Sequence, residues 1–245
     1  MIDEATAAKL AAMGVACLAE AFRDQEGPMF AGMPFDERVS IAVGQAHEAD
    51  VAAKVKRLEA RAHLRYPRDD LRTLRDPEGR GLDRALPAEL STCAVVERGG
   101  NVVIGGPTGT GKTWLACALA REACARRLRS LYLRMPDLDE RIDAARERPQ
   151  GVPKLVRSLS KYPLLVLGER LLDRPDDRMV AFLLELMGLR YGSASTVFCT
   201  QYRKEDWHSR LGGGVHTDAI MDRIVHDCVW VRTGEANMRE AMAKG

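Results

Sequence analysis

From Gly106 the chain reads G-x-x-x-x-G-K-T, running through Pro107, Thr108, Gly109 and Thr110 to Gly111, Lys112 and Thr113. These residue types at this spacing suit a polyphosphate. Glycines at 106, 109 and 111 let the backbone curl so that successive N–H groups point inward at phosphate oxygens. The Lys112 ammonium then reaches the β- and γ-phosphates of a nucleoside triphosphate, and the Thr113 hydroxyl is placed to hold Mg²⁺. The flanks supply the required context: Val102, Val103 and Ile104 form an apolar run entering the loop, and Trp114, Leu115, Cys117, Ala118 and Leu119 begin a helical pattern leaving it. The start of that helix adds a positive dipole end for the anion.

Hydrolysis of such a ligand needs an acid just after a second apolar strand. Residues Leu164 to Leu167 lead through Gly168 to Glu169, which is positioned to orient or deprotonate an attacking water. The position before it, where a magnesium-coordinating aspartate is common, is Gly168. Glycine supplies no ligand, so binding is a safer expectation than turnover, and Gly168→Asp is expected to raise hydrolysis roughly tenfold or more. Gln201, at the end of the run Thr196 to Thr200, either contacts the γ-phosphate or its water or caps the strand. Arg223 either reaches a neighbouring subunit's phosphates or forms a surface ion pair with Asp222 or Asp227.

The elements that must position these groups alternate. Strands are expected at the loop's entry, at Leu131 to Leu133, Pro163 to Leu167, Thr196 to Thr200 and Cys228 to Val231. Helices are expected between them, at 136–148, 152–159, 176–190 and 216–226. Alternation of this kind implies an α/β fold with a doubly wound parallel sheet and ligands at the strands' carboxyl ends. Pro87 opens a further helix that Gly99 and Gly100 stop before the first strand.

Upstream the pattern is helical. An apolar stripe (Leu10, Met13, Cys17, Leu18, Ala21, Phe22) is broken near Gly14, and a long helix is expected from Pro34 towards Leu64. On that helix Val51, Val55, Leu58 and Ala62 form a seam, flanked by a basic ridge of Lys54, Arg57, Arg61 and Arg65. The ridge reads equally as a contact for a nucleic-acid backbone and as a solvated face. Periodicity fades between 67 and 86. The expected organisation is thus a small all-α domain at 1–66, a linker at 67–86, and the nucleotide-binding domain at 87–245.

With 245 residues and 46% apolar content, the chain can bury a substantial core. A formal charge of +2 makes any nucleic-acid surface local. No apolar run approaches the ~20 residues of a membrane helix, and the amino terminus lacks a signal-peptide layout, so a cytoplasmic protein with no membrane partner is expected. The six cysteines form no C-x-x-C pair and read as core residues.

Taken in order, Leu18 to Ala21, Phe35 to Arg38, Gly81 to Ala85, the loop Gly105 to Thr113, Arg190 with Tyr191, and Asp206 with Trp207 resemble the IstB/DnaC branch of AAA+ P-loop ATPases. The similarity is strongest to the IstB-like helper proteins of insertion sequences. The resemblance implies a sheet in the order 5-1-4-3-2 and an ATP and Mg²⁺ site. It also implies ATP-driven homo-oligomerisation as a ring or filament on DNA, and support of a transposase in transposition, a form of DNA recombination. By the same resemblance Lys112 and Thr113 are the Walker A pair, Glu169 the Walker B acid, Gln201 the sensor-one residue, Arg223 an arginine finger and Arg239 a second arginine sensor. Gly168 and Arg170, the latter where tryptophan or phenylalanine is common, depart from the pattern, which leaves ATPase activity open. Two alternatives stand beside the transposition helper: a DnaC-like replicative helicase loader and a non-hydrolysing, ATP-dependent DNA-binding scaffold. A small-molecule kinase fits least, since no arginine-rich lid follows the core strands.

Overall fold

The computed structural model describes residues 2–74, 76–168, 175–225 and 228–238. The chain forms two compact units, Met1–Arg57 and Leu58–Gly245.

In the first unit, α1 (Glu4–Ala12) starts where the Asp3 side chain accepts from the Thr6 amide at 2.7 Å. Gly14, at φ 77°, turns the chain into α2 (Ala16–Arg23), the break expected from its position in the stripe. Ala21 of α2 packs against Ala42 and Ala46 of α3 (Phe35–Arg61), with Cys17, Leu18 and Phe22 alongside. The buried Gln25 fixes this packing by donating to the Arg38 carbonyl at 2.6 Å. Helix α3 carries Lys54, Arg57 and Arg61 at spacings of three and four residues. His63, with φ 52°, leads away from it, so Arg65 leaves the helical stripe on which the sequence pattern had placed it.

The second unit is built on five parallel strands: β1 (Asn101–Gly105), β2 (Ser130–Arg134), β3 (Leu164–Gly168), β4 (Ser195–Thr200) and β5 (Cys228–Arg232). Their order is β2-β3-β4-β1-β5, which is the expected 5-1-4-3-2. β3 is buried throughout, because both faces are covered. On one face Val102, Ile104, Leu164, Val166, Val197 and Cys199 pack under α6 (Lys112–Ala125) and the short helices α4 (Leu86–Ser91) and α5 (Ala94–Glu97). Ala116, Cys117, Ala120 and Ala123 are small enough to let α6 lie close to the sheet. The other face, with Val103, Leu165, Leu167 and Phe198, packs against α7 (Met135–Arg146), α8 (Gly151–Ser160), α9 (Asp177–Arg190) and α11 (Val215–Val225).

Two elements differ from the sequence reading. The helix opened by Pro87 is two short ones, because Cys93 is buried in a left-handed conformation (φ 54°) between them. A helix α10 (Lys204–Arg210) was not expected, since its one buried anchor, Trp207, stands in a polar run without helical periodicity. Four of the six cysteines, Cys93, Cys117, Cys124 and Cys199, are buried as expected of core residues, while Cys17 and Cys228 are half-buried.

Candidate functional site

The loop between β1 and α6 takes the conformation its glycines permit. Gly106, Gly109 and Gly111 have φ of 151°, 90° and 86°. A methyl group at Gly106 would stand 1.9 Å from Thr233 Oγ1, and one at Gly109 2.5 Å from Asn237 Oδ1. Both positions are therefore closed to side chains by torsion, and Gly106 also by its packing against Thr233. The loop is tied down on all sides: the Gly106 amide donates to the Thr200 carbonyl (3.2 Å), the Thr233 amide to the Gly105 carbonyl (2.9 Å), and the Met238 amide to the Gly109 carbonyl (2.9 Å). Thr110 Oγ1 donates to the Pro107 carbonyl at 2.9 Å and lies 2.7 Å from Thr233 Oγ1.

Lys112 opens α6, and its ammonium bends back over the loop to the carbonyls of Gly106 (2.7 Å) and Pro107 (2.6 Å). A cation held over curled backbone at a helix amino terminus is an arrangement suited to a polyphosphate. Thr113 follows in the same turn, partly buried. Among the described residues there is no group of three or more His, Cys, Asp or Glu side chains able to hold a metal ion. Mg²⁺ bound with a nucleotide keeps several waters and takes its other ligands from phosphate, so a single hydroxyl such as Thr113 fits that role.

Gln201 joins this site. Its Oε1 accepts from Thr108 Oγ1 at 3.3 Å, and its Nε2 donates to the Tyr202 hydroxyl at 3.1 Å. Gly168 ends β3 at the same carboxyl edge of the sheet. Glu169 and Arg239, the other two residues expected here, lie outside the described residues.

Arg223 is elsewhere. Its Nη1 donates to the Leu184 carbonyl of α9 at 2.9 Å, and its own carbonyl accepts from Asn101 Nδ2 at 3.2 Å. Asn101 begins β1 while the loop leaves that strand's other end, so Arg223 is remote from its own chain's loop.

Several neighbours of the loop were not singled out from sequence. Thr233 follows β5, so the strand-end rule that pointed to Gln201 applies to it equally. Arg80 carries no comparable signal. It is 8% exposed, its guanidinium lies 5.1 Å from the centre of the Trp114 ring, and Nη2 would be 2.4 Å from a methyl at Gly111. Burial lowers its pKa, with the Asp69 charge opposing. Burial in turn pushes Asp69 up to about 6, against the pull of Trp114, Arg121 and Arg80.

A family model described as IstB-like ATP binding protein matches residues 7–244. The chain belongs to this family. It is 35% identical over 180 residues to a protein of Sinorhizobium fredii named an insertion sequence ATP-binding protein, covering 72% of this chain and 69% of the relative. It is 31% identical over 202 residues to a Pseudomonas fluorescens protein named for ATP binding in insertion sequence IS1162, covering 82% and 87%. Among solved structures, the DnaC helicase loader superposes with a TM-score of 0.54 at 20% identity, over 69% of this chain and 99% of that one. At that identity the likeness shows the fold alone, an α/β P-loop fold. No helix among the described residues is long and apolar enough to cross a membrane.

Proposed function

We propose that this IstB-like protein is a cytoplasmic transposition helper that binds ATP with Mg²⁺ at the loop Gly106 to Thr113, assembles with further copies of itself on DNA, and there supports a transposase. The observation that carries this reading is the loop itself: three glycines at positive φ packed against Thr233, Asn237 and Arg80, with Lys112 held over them. Loop amides and Lys112 bind the phosphates, Thr113 ligates the metal, and Gln201 stands beside Thr108 where a γ-phosphate or its water would be read. Mg²⁺ held there would supply positive charge to the phosphate oxygens. Gly168 brings no carboxylate to that task, which favours tight binding with slow turnover. The reading is tested by sizing the chain with duplex DNA in the presence and absence of ATP. Large species should need both, and assembly indifferent to ATP would refute it.

The position of Arg223, away from its own loop, supports a role across a subunit boundary. Arg223→Ala is expected to leave ATP binding by the isolated chain within about twofold of the parent, well under the ~1.4 kcal/mol that a tenfold change represents. ATP-dependent assembly on DNA should fall. Normal assembly by this variant in the same sizing experiment would return Arg223 to a purely local role, bracing α9 through the Leu184 carbonyl.

For DNA, the basic residues Lys54, Arg57, Arg61 and Arg65 remain the candidates. Lys54 pairs with Asp50 at 2.5 Å on the exposed face of α3, and Arg57 Nε bonds the Ala53 carbonyl at 3.3 Å. Such surface contacts are weak enough to be exchanged for phosphates. In the second unit Arg65 lines a cleft of about 360 Å³ with His63, Arg134 and Arg141, where Asp137 is the one acid among the described residues. If the four residues neutralise about four phosphates, log affinity should fall against log salt with a slope of roughly −3 to −4. Replacing all four by alanine should flatten that slope. An unchanged slope and affinity would leave them as a solvated face.

A further inference from the structure

The place where this chain departs from the expected magnesium site is filled. Along β3 the side chains alternate: Leu164 and Val166 pack on the α6 face, Leu165 and Leu167 on the other. Residue 168 therefore faces α6, as an aspartate there would. On the neighbouring strand Tyr132 pairs with Val166 and shares that face. Its ring runs along the sheet to Gly168, so that a methyl group at Gly168 would lie 2.8 Å from Tyr132 Cε2 and 3.0 Å from its hydroxyl.

That hydroxyl is buried and without a hydrogen-bond partner among the described residues, in a side chain only 5% exposed. An unsatisfied buried hydroxyl costs stability, so its presence needs a reason. Burial and the nearby Cys117 and Cys199 thiols raise its pKa, so the phenol is neutral at pH 7. Cys199 Sγ lies 3.8 Å from the Lys112 carbonyl, and Cys117 sits one turn beyond Thr113 on α6. The phenol thus lies beneath the first turns of α6, from which Lys112 and Thr113 reach the ligand.

We propose that Tyr132 takes the place that Gly168 leaves empty, its hydroxyl serving as the neutral group that positions the water shell of a nucleotide-bound Mg²⁺. This rests on the reading of the loop as a magnesium–nucleotide site. A phenol can both donate and accept, whereas a carboxylate only accepts and adds a charge. Tyr132 is a positioning residue: it orders water and brings no negative charge to the metal. It also means that Gly168→Asp is not a simple restoration of a lost ligand, contrary to the expectation from sequence, because the new side chain meets the Tyr132 ring.

The test uses the full chain. In Tyr132→Phe, ATP affinity in EDTA should match the parent, while the Mg²⁺ concentration giving half-maximal tightening of ATP binding should rise about five- to tenfold, the worth of one hydrogen bond. The variant should melt no lower than the parent, since only an unsatisfied hydroxyl is lost. Magnesium dependence equal to the parent's, in a parent that binds ATP, would overturn the proposal alone. A parent that shows no ATP binding would overturn the proposal and the reading beneath it together. The occupancy of the space is checked by a double-mutant cycle. Gly168→Asp should lower the melting temperature in the parent and lower it less in a Tyr132→Ala background. Additive effects would contradict the shared space.

Discussion

Arg190→Ala is expected to lower the stability of the second unit by about 3–5 kcal/mol, a shift of roughly 10 °C in its melting temperature. Arg190 is 2% exposed and has no acid beside it among the described residues. Its guanidinium donates instead to the Thr196 hydroxyl (2.9 Å) and to the carbonyls of Leu159 (3.0 Å), Tyr162 (2.8 Å) and Ser195. Two needs meet there. The carboxyl end of α8 leaves carbonyls without helical partners, and the chain must then enter β3 beside the start of β4. One planar group satisfies carbonyls from all three segments. Burial holds the Arg190 pKa down to about 10, so the side chain is still charged at neutral pH. Removing it strands several buried acceptors and leaves a cavity. Arg190→Lys should recover only part of the loss, because an ammonium cannot span the same set of acceptors. Thermal melts of the three proteins read this directly. A change under about 1 kcal/mol for the alanine variant would mean that water or neighbouring donors satisfy those carbonyls.

The second large effect is expected at Lys112. Its ammonium is fixed over the loop by the Gly106 and Pro107 carbonyls, next to backbone that cannot accept side chains at Gly106 or Gly109. Charge-assisted hydrogen bonds to a phosphate are each worth about 1.5–3 kcal/mol, and more than one is lost when the ammonium is removed. Lys112→Ala should therefore weaken ATP binding by about a hundredfold or more. The fold should persist, since Leu115, Ala116 and Leu119 anchor α6 to the sheet independently of Lys112.

The sheet and the loop were legible because each is written in local pattern. Strands buried on both faces read as short apolar runs, and the loop's torsions leave no residue but glycine at three set positions. The strand order was supplied by resemblance, since nothing local in Thr196 to Thr200 says that it lies between β3 and β1. What escaped were contacts made across the fold. Arg80 reaches Trp114 and the loop from a segment that reads only as an arginine-bearing linker. Tyr132 reads as an ordinary strand residue until register sets its ring against Gly168. The missing aspartate was visible in the sequence, but its replacement was not, because the two lie on different strands. Arg190 was noticed for its place in a family pattern, while its role in joining α8, β3 and β4 depends on burial that no spacing reveals.

Calorimetric titration of ATP with Mg²⁺ into the full chain and into Lys112→Ala tests the central claim, that Gly106 to Thr113 holds a nucleoside triphosphate, most directly. The account predicts saturable binding of one ATP per chain in the parent, and binding weakened about a hundredfold or more in a variant that melts as the parent does. Equal affinity in the two folded proteins, or no binding in the parent, would contradict it.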